Sequence, residues 1–397
     1  MANENLHGAK TAKNDEFYTQ FHDIEKEMNA YLEYDPEVFK GKTILLPCDD
    51  PEWSNFTKYF AQNFDKLGLK KLISTSYAPN SKPKEIPYQP TLFEIDSPDF
   101  DETKTQSNGK IFTLSQDTTG DKVINVDDLE WEYLDGDGDF RSDEIKALRD
   151  EADVIITNPP FSLFREFLAW IVEANKRFVV IGNMNAVTYK DVFPLIKENQ
   201  MWLGMSISSG DREFGVPQSY PLEAAGWRVD DEGKKFIRVK GVRWFTNLDH
   251  GRRHQPLPLM TEADNIRFSK HKTVKDVEYQ KYDNYDAIEV PFTDAIPSDY
   301  DGVMGVPITF LDKYNPEQFD VLGITKTWDN KSGLKTKIFP TQIQVSQGGK
   351  ESEVGKLNDG AAIQVDETPS STHYKVGGKT LIQVYARILI RHRRTKG

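Results

Sequence analysis

Val154-Ile155-Ile156-Thr157-Asn158-Pro159-Pro160-Phe161 is the stretch around which this chain is organised. A short run of apolar and β-branched residues predicts a buried strand, and the two prolines that follow remove backbone donors and force an extended exit from the sheet. Asn158 then stands at the carboxyl end of a strand, where ligands gather in open α/β sheets. Its side-chain oxygen and the adjacent proline carbonyl suit an exocyclic amino group, because both N–H bonds can be held at once while the nitrogen lone pair faces an electrophile. Phe161 offers a stacking face to the ring that bears the amine.

The surrounding sequence supplies a sheet for this strand. Thr43-Ile44-Leu45-Leu46-Pro47 predicts a second buried strand, followed by a helix carrying Phe56, Tyr59, Phe60 and Phe64 and by a third strand at 71–77. Strand, helix and strand in that order build a parallel sheet. An amphipathic helix with Phe21, Ile24, Met28, Tyr31 and Leu32 precedes this unit, and residues 78–110 are expected to form a surface excursion. Ser142 is expected to cap a helix ending near Arg149. Downstream come a helix with Phe164, Phe167, Leu168 and Ile171, a strand at 177–182, a helix near 189–198 and a short strand near 201–203. A hairpin is expected around Asp230-Asp231-Glu232-Gly233, then a strand at 242–246. Further strands are expected at Val303–Leu311, Gln318–Gly323, Gln342–Ser346 and Leu381–Leu389. Regular alternation stops near Asp249, so the chain divides into residues 1–248, a catalytic α/β domain, and 249–397, a mixed α+β region.

Composition narrows the class. The chain has 397 residues with 28% charged and 12% aromatic side chains, enough for two packed regions. No apolar run reaches the roughly 20 residues that span a bilayer, so a cytoplasmic protein is expected. The single cysteine, Cys48, excludes an internal disulfide framework and a Cys-based zinc site. Asp135-Gly136-Asp137-Gly138-Asp139-Phe140-Arg141 has the acidic spacing of a calcium loop but Phe140 where glycine is needed, so no metal is expected there.

Four segments together give the chain a family likeness: Asn14-Asp15-Glu16-Phe17-Tyr18-Thr19, Leu46–Phe56, Gly138-Asp139-Phe140-Arg141 and Asn158-Pro159-Pro160-Phe161. In this set and order the chain resembles the EcoRI-type adenine-N6 DNA methyltransferases. The resemblance implies a class I methyltransferase fold, a mostly parallel twisted sheet flanked by helices, with a C-terminal DNA-recognition region. It implies S-adenosylmethionine as methyl donor and a flipped-out adenine in double-stranded DNA as acceptor, with Asn158, Pro159, Pro160 and Phe161 catalytic. Phe17, Tyr18, Thr19, Pro47, Asp49, Asp50, Pro51 and Asn158 are implied to contact the cofactor. Asp139 is implied to accept from the cofactor adenine while Phe140 stacks on its ring. Trp244 and Phe245 lie where a further aromatic of the target pocket is expected, although neighbouring strand residues face opposite sides and only one can serve. Two departures from the usual pattern stand out: the loop after Pro47 has no Gly-x-Gly turn, and the third strand ends Ser76-Tyr77 without an acidic residue.

A net charge of −13 argues against an indiscriminate nucleic-acid coat, yet residues 227–281 hold 13 Lys and Arg against 8 Asp and Glu, a local balance of +5. His250-Gly251-Arg252-Arg253-His254-Gln255 is the candidate contact loop, with Arg252 and Arg253 expected on DNA. A monomer acting on duplex DNA in a restriction-modification role is expected. Methylation of an RNA adenine or of a protein glutamine amide, and a catalytically silent DNA-binding module, remain open on the sequence.

Overall fold

The computed structural model describes residues 17–47, 49, 54–78, 100–208, 210–218, 220, 222, 226–329 and 332–393. In chain order the first elements are β1 (Tyr18–Thr19), α1 (Phe21–Tyr34), β2 (Thr43–Leu46), α2 (Asn55–Gln62), α3 (Phe64–Leu67), β3 (Lys71–Ser76), α4 (Glu102–Ser107), β4 (Lys110–Leu114) and β5 (Glu130–Tyr133). Then come α5 (Asp143–Glu151), β6 (Val154–Thr157), α6 (Phe164–Glu173), β7 (Arg177–Asn183), α7 (Phe193–Lys197), β8 (Trp202–Leu203), β9 (Asp211–Val216), β10 (Trp227–Val229), β11 (Lys235–Lys240) and β12 (Val242–Thr246). The remainder holds α8 (Glu262–Phe268), β13 (Ile288–Glu289), β14 (Met304–Pro307), β15 (Phe319–Ile324), β16 (Ile343–Val345), β17 (Glu351–Glu353), β18 (Ala361–Gln364), β19 (His373–Val376), β20 (Lys379–Val384) and β21 (Arg387–His392). These elements form two compact units. One runs to Met184 and resumes over Met201–Gly251; the other comprises Asn185–Gln200 and Arg252–Gly397. The excursion Asn185–Gln200, which carries α7, thus leaves the first unit in mid-chain.

The first unit is built on an eight-stranded sheet in the order β5-β4-β3-β2-β6-β7-β12-β8. Its middle four strands, β3, β2, β6 and β7, run parallel, and β4, β5, β12 and β8 pair antiparallel to their neighbours. Every residue of β2 and of β6 is buried, as expected of strands covered on both faces. One face carries Ile44, Leu46, Val154, Ile156, Val179, Ile181 and Trp244 into a cluster with Ile24, Met28 and Tyr31 of α1 and Phe56 and Phe60 of α2. On the other, Phe164 of α6 packs on Phe245 with ring centroids 5.0 Å apart. Caps set the helix starts: Ser54 Oγ accepts from the Phe56 amide at the head of α2, and Ser142 Oγ from the Ile145 amide at the head of α5. Gly68, at φ 63°, closes α3 in the left-handed conformation that favours glycine.

A second sheet of the same unit, β1-β9-β11-β10, is antiparallel throughout. Its β10–β11 pair is the hairpin expected around Asp230–Gly233, while β1 and β9 were not expected as strands. Nor were β4 and β5, which extend the main sheet; the surface excursion expected over 78–110 lies largely outside the described residues.

The second unit has two sheets, β13-β14-β21-β15 and β17-β16-β19-β20-β18. The single strand expected over Leu381–Leu389 is in fact two, β20 and β21, one in each sheet. Phe193 of α7 meets Trp328 edge-on at 6.0 Å within this unit.

Candidate active site

Strand order places the site before any side chain is considered. The chain proceeds from β2 to β3, then β4 and β5, on one side, and returns to β6 on the other, so the topological switch point lies between β2 and β6. Ligands bind at such points, outside the carboxyl ends of the strands. The two ends are tied together there: Thr157 Oγ1 donates to the Pro47 carbonyl at 2.8 Å.

Asn158 emerges directly from this junction. Its Nδ2 donates to the Phe17 carbonyl at 2.6 Å, which fixes the amide plane. Its Oδ1 is buried with no hydrogen-bond partner among the described residues. Leaving a buried acceptor unmet costs about 1–3 kcal/mol, so an orphan at a switch point marks a place where a ligand donor completes the site. The Pro160 carbonyl is taken by the Leu163 amide at 2.9 Å, whereas no hydrogen bond to the Pro159 carbonyl is found among the described residues. Two acceptors adjacent in the sequence therefore have no hydrogen-bond partner among the described residues.

An aromatic group surrounds them. Phe161 meets Phe17 at 5.5 Å and 76°, and Phe214 at 6.4 Å and 89°. Phe17 also approaches Phe214 at 5.9 Å and Tyr220 at 6.3 Å. Phe214 and Tyr220 were missed by sequence reasoning. The only signal for Phe214 was its place in an alternating run, because what brings it to Phe17 is the pairing of Thr19 with Phe214 across distant segments.

At the end of β2, Asp49 is buried and its Oδ1 accepts from Ser54 Oγ at 2.8 Å. Its backbone amide donates to the Thr75 carbonyl at 2.8 Å, which anchors it to the end of β3. Thr19 is buried, and its carbonyl accepts from Asn55 Nδ2 at 2.8 Å. Tyr18 lies across Gly215 on β9, with its side chain on the opposite face of the strand from Thr19 and Phe214. Asp50, Pro51 and Cys48 lie outside the described residues.

Other expected site residues are placed differently. The Asp139 carboxylate is gripped by Arg141, whose Nε and Nη2 bond its two oxygens at 2.9 and 2.6 Å. That fork holds the carboxyl below the usual carboxylate range. Phe140 is only 3% exposed, held edge-on to Phe167 at 5.1 Å and Trp170 at 5.7 Å, so its ring serves the core beside α6 rather than an open stacking face. Trp244 and Phe245 are both fully buried: β12 lies between β7 and β8, and each ring packs under a helix, Trp244 on Phe56 and Phe245 on Phe164. Both rings are core aromatics in this structure. Arg253 is 6% exposed and its guanidinium donates to Asn199 Oδ1 within the second unit. His250 is also buried, its Nε2 3.0 Å from the Leu203 carbonyl, whereas Arg252 is half-buried.

Comparison with known proteins decides the family. The model described as adenine-specific methyltransferase EcoRI matches residues 5–393. The chain belongs to this family. It is thus an enzyme, an adenine-specific DNA methyltransferase. It is 44% identical to the Type II methyltransferase M.EcoRI of Escherichia coli over 83% of this chain and 91% of that protein. It is 35% identical to the Type II methyltransferase M.MpnI of Mycoplasma pneumoniae over 83% of this chain and 89% of that protein. For the Type II methyltransferase M.MgeORF184P of Mycoplasma genitalium the identity is 34%, over 88% and 94%. No solved structure gives a significant match. The family assignment and the orphan acceptor at Asn158 fit one another, since an adenine amino group is a planar donor of two N–H bonds.

Proposed function

We propose that the enzyme transfers a methyl group from S-adenosylmethionine to N6 of an adenine swung out of duplex DNA, at a specific site and in a restriction-modification setting. The observation that carries this reading is Asn158, pinned through Nδ2 by the Phe17 carbonyl with Oδ1 left buried and unmet. We read the β3-β2-β6-β7 parallel core with antiparallel β12 inserted before β8 as a class I methyltransferase sheet.

The donor set suits the cofactor. A buried carboxylate at Asp49, steadied by Ser54, fits a cationic amino group; Pro47 follows β2 beside Thr157, and Phe17, Tyr18 and Thr19 are taken as the further cofactor contacts. Asp139 would still accept from an amino group through the lone pairs that Arg141 leaves. When bound, S-adenosylmethionine supplies an electrophilic sulfonium methyl. The protein's own part is to hold the amine: Asn158 Oδ1 and the Pro159 carbonyl accept its two N–H bonds, and Phe161 covers the base. Neither acceptor is a base at neutral pH, so they polarise the N–H bonds and orient the nitrogen, and the proton that N6 sheds on methylation passes to solvent. The base must leave the duplex to reach them, which costs a few kcal/mol that stacking on Phe161 offsets in part.

Among the described residues no helix is long and apolar enough to cross a membrane. We place the enzyme in the cytoplasm, as a monomer on DNA, needing no metal for chemistry. A labelled-methyl assay against duplex DNA, RNA and protein tests the reading. Label is expected as N6-methyladenine in duplex DNA; label confined to RNA or to glutamine would overturn it.

A further inference from the structure

Sequence alone puts 13 Lys and Arg into residues 227–281 without saying which are available. The structure sorts them. Arg228 is taken by Glu213 at 2.5 Å and Lys234 by Glu232 at 2.6 Å, and Arg253 is buried on Asn199. Further along, Asn265–Lys275 contains Arg267, Lys270, Lys272 and Lys275 and no Asp or Glu. Lys270 is matched by Asp294 at 2.7 Å. Arg267, Lys272 and Lys275 are exposed and make no ion pair with any described residue. Phe268, at the end of α8, is 60% exposed, with the Arg267 guanidinium 4.9 Å from its ring centre.

This segment is exposed yet held in place. Asn265 is fully buried and donates to the Ala295 carbonyl at 3.3 Å, Val274 is buried, and the Asp276 amide donates to the Ile266 carbonyl at 2.8 Å. His271 stacks on Phe292 at 3.7 Å and 8° and meets Asp294 at 2.8 Å. Three unmatched cations and an uncovered aromatic ring are thus presented from a braced turn, on a chain whose net charge is −13. A lone exposed cation is ordinarily a solvated side chain; three within nine residues around an exposed ring, while their neighbours are matched, make a local site for a polyanion with flat bases.

We infer that Arg267, Lys272 and Lys275 contact phosphates of the substrate DNA and that Phe268 meets a base or a base step beside them. This rests on the DNA reading above and adds the residues by which the second unit engages the duplex. Fixed cations displace counterions, so each phosphate contact steepens the salt dependence of binding by about 0.9 in log K against log salt. An aromatic face on a base adds roughly tenfold in affinity and is insensitive to salt.

The test measures full-length enzyme binding to a duplex carrying its methylation site, from low to moderate salt, alongside methyl transfer at saturating DNA. In Arg267→Gln/Lys272→Gln/Lys275→Gln the slope is expected to fall by roughly 2 to 3 units, with the melting temperature and saturated transfer rate kept. The control Lys326→Gln/Lys375→Gln/Arg393→Gln removes the same charge from cations matched by Asp359, Glu351 and Asp320, and should leave the slope unchanged. Phe268→Ala should weaken binding roughly tenfold with no change of slope. An unchanged slope in the first triple variant, or an equal fall in the control, overturns the proposed face while wild-type methylation of DNA leaves the proposed function standing. Wild-type enzyme that fails to bind or methylate DNA overturns both.

Discussion

Asn158 Nδ2 donates to the Phe17 carbonyl at 2.6 Å, so the residue that precedes β1 fixes the side chain whose oxygen is left buried and unmet. Asparagine rather than aspartate is what this geometry requires. Asn158→Ala removes the acceptor and is expected to lower the single-turnover methyl-transfer rate by about 10²–10³, the usual loss for one polar group aimed at a transition state. Asn158→Asp keeps an acceptor but sets a carboxylate oxygen against the Phe17 carbonyl. A drop of roughly tenfold is expected, with DNA affinity retained in both variants. Full activity in Asn158→Asp would show that the Phe17 contact does not orient the amide.

Gly138 precedes Asp139 with φ +84°, and a Cβ there would lie 2.3 Å from the Ser76 carbonyl oxygen. Neither the turn nor the end of β3 can absorb that contact without moving. Gly138→Ala is expected to raise KM for the methyl donor several-fold more than it lowers kcat, because it displaces the turn of Asp139, proposed as a donor contact, and leaves Asn158 alone. Steady-state kinetics with methyl donor varied at saturating DNA read the split. Strain from the positive φ adds about 1 kcal/mol to the loss of stability.

How much of this was legible in the sequence follows from how local each feature is. β2, β3, β6 and β7 are dense apolar runs bounded by turns, and the structure places them within a residue or two of expectation. The Asn-Pro-Pro-Phe junction could be read for the same reason, since four adjacent residues carry both its geometry and its acceptors. β4 and β5 escaped because they alternate half-buried residues on the sheet's outer side, and no helix between them announces a crossover. The fates of Trp244, Phe245 and Arg253 depend on partners far along the chain, Phe56, Phe164 and Asn199, which no spacing rule supplies. A basic stretch names the cations; only the fold says which have acids beside them.

Glu27, on α1, is fully buried and carries three donors. Tyr31 Oη bonds its Oε1 at 2.6 Å, and the amides of Met205 and Ser206 bond its two oxygens at 3.0 and 2.7 Å. The loop entering β9 is therefore fastened to the helix that follows β1, and these are the two strands whose pairing brings Phe214 to Phe17. Glu27→Gln turns one acceptor into a donor facing an amide N–H. A loss of about 2–3 kcal/mol is expected, read as a lower denaturant midpoint with an unchanged slope. Tyr31→Phe removes one of the three donors and should cost less.

Alkaline pH should loosen the same region. Burial, and then the neighbouring Glu27 carboxylate, push the Tyr31 hydroxyl well above the ordinary tyrosine value, and burial raises Tyr59 to about 12. In the second unit Tyr282 is driven up by burial and by Glu289, and Tyr279 reaches about 12. The unfolded chain ionises its tyrosines near pH 10, so above that value it has lost protons that the folded chain still holds. Stability is then fully present below about pH 10 and declines from there through about pH 12 as these groups are forced to ionise. Melting temperatures measured from pH 8 to 11.5 should be flat at first and fall beyond about pH 10, in step with tyrosinate absorbance appearing on unfolding. Tyr31→Phe lacks one such group, so its alkaline decline should be shallower than that of the parent enzyme even though it starts from lower stability. An identical decline in the variant would remove Tyr31 from the account.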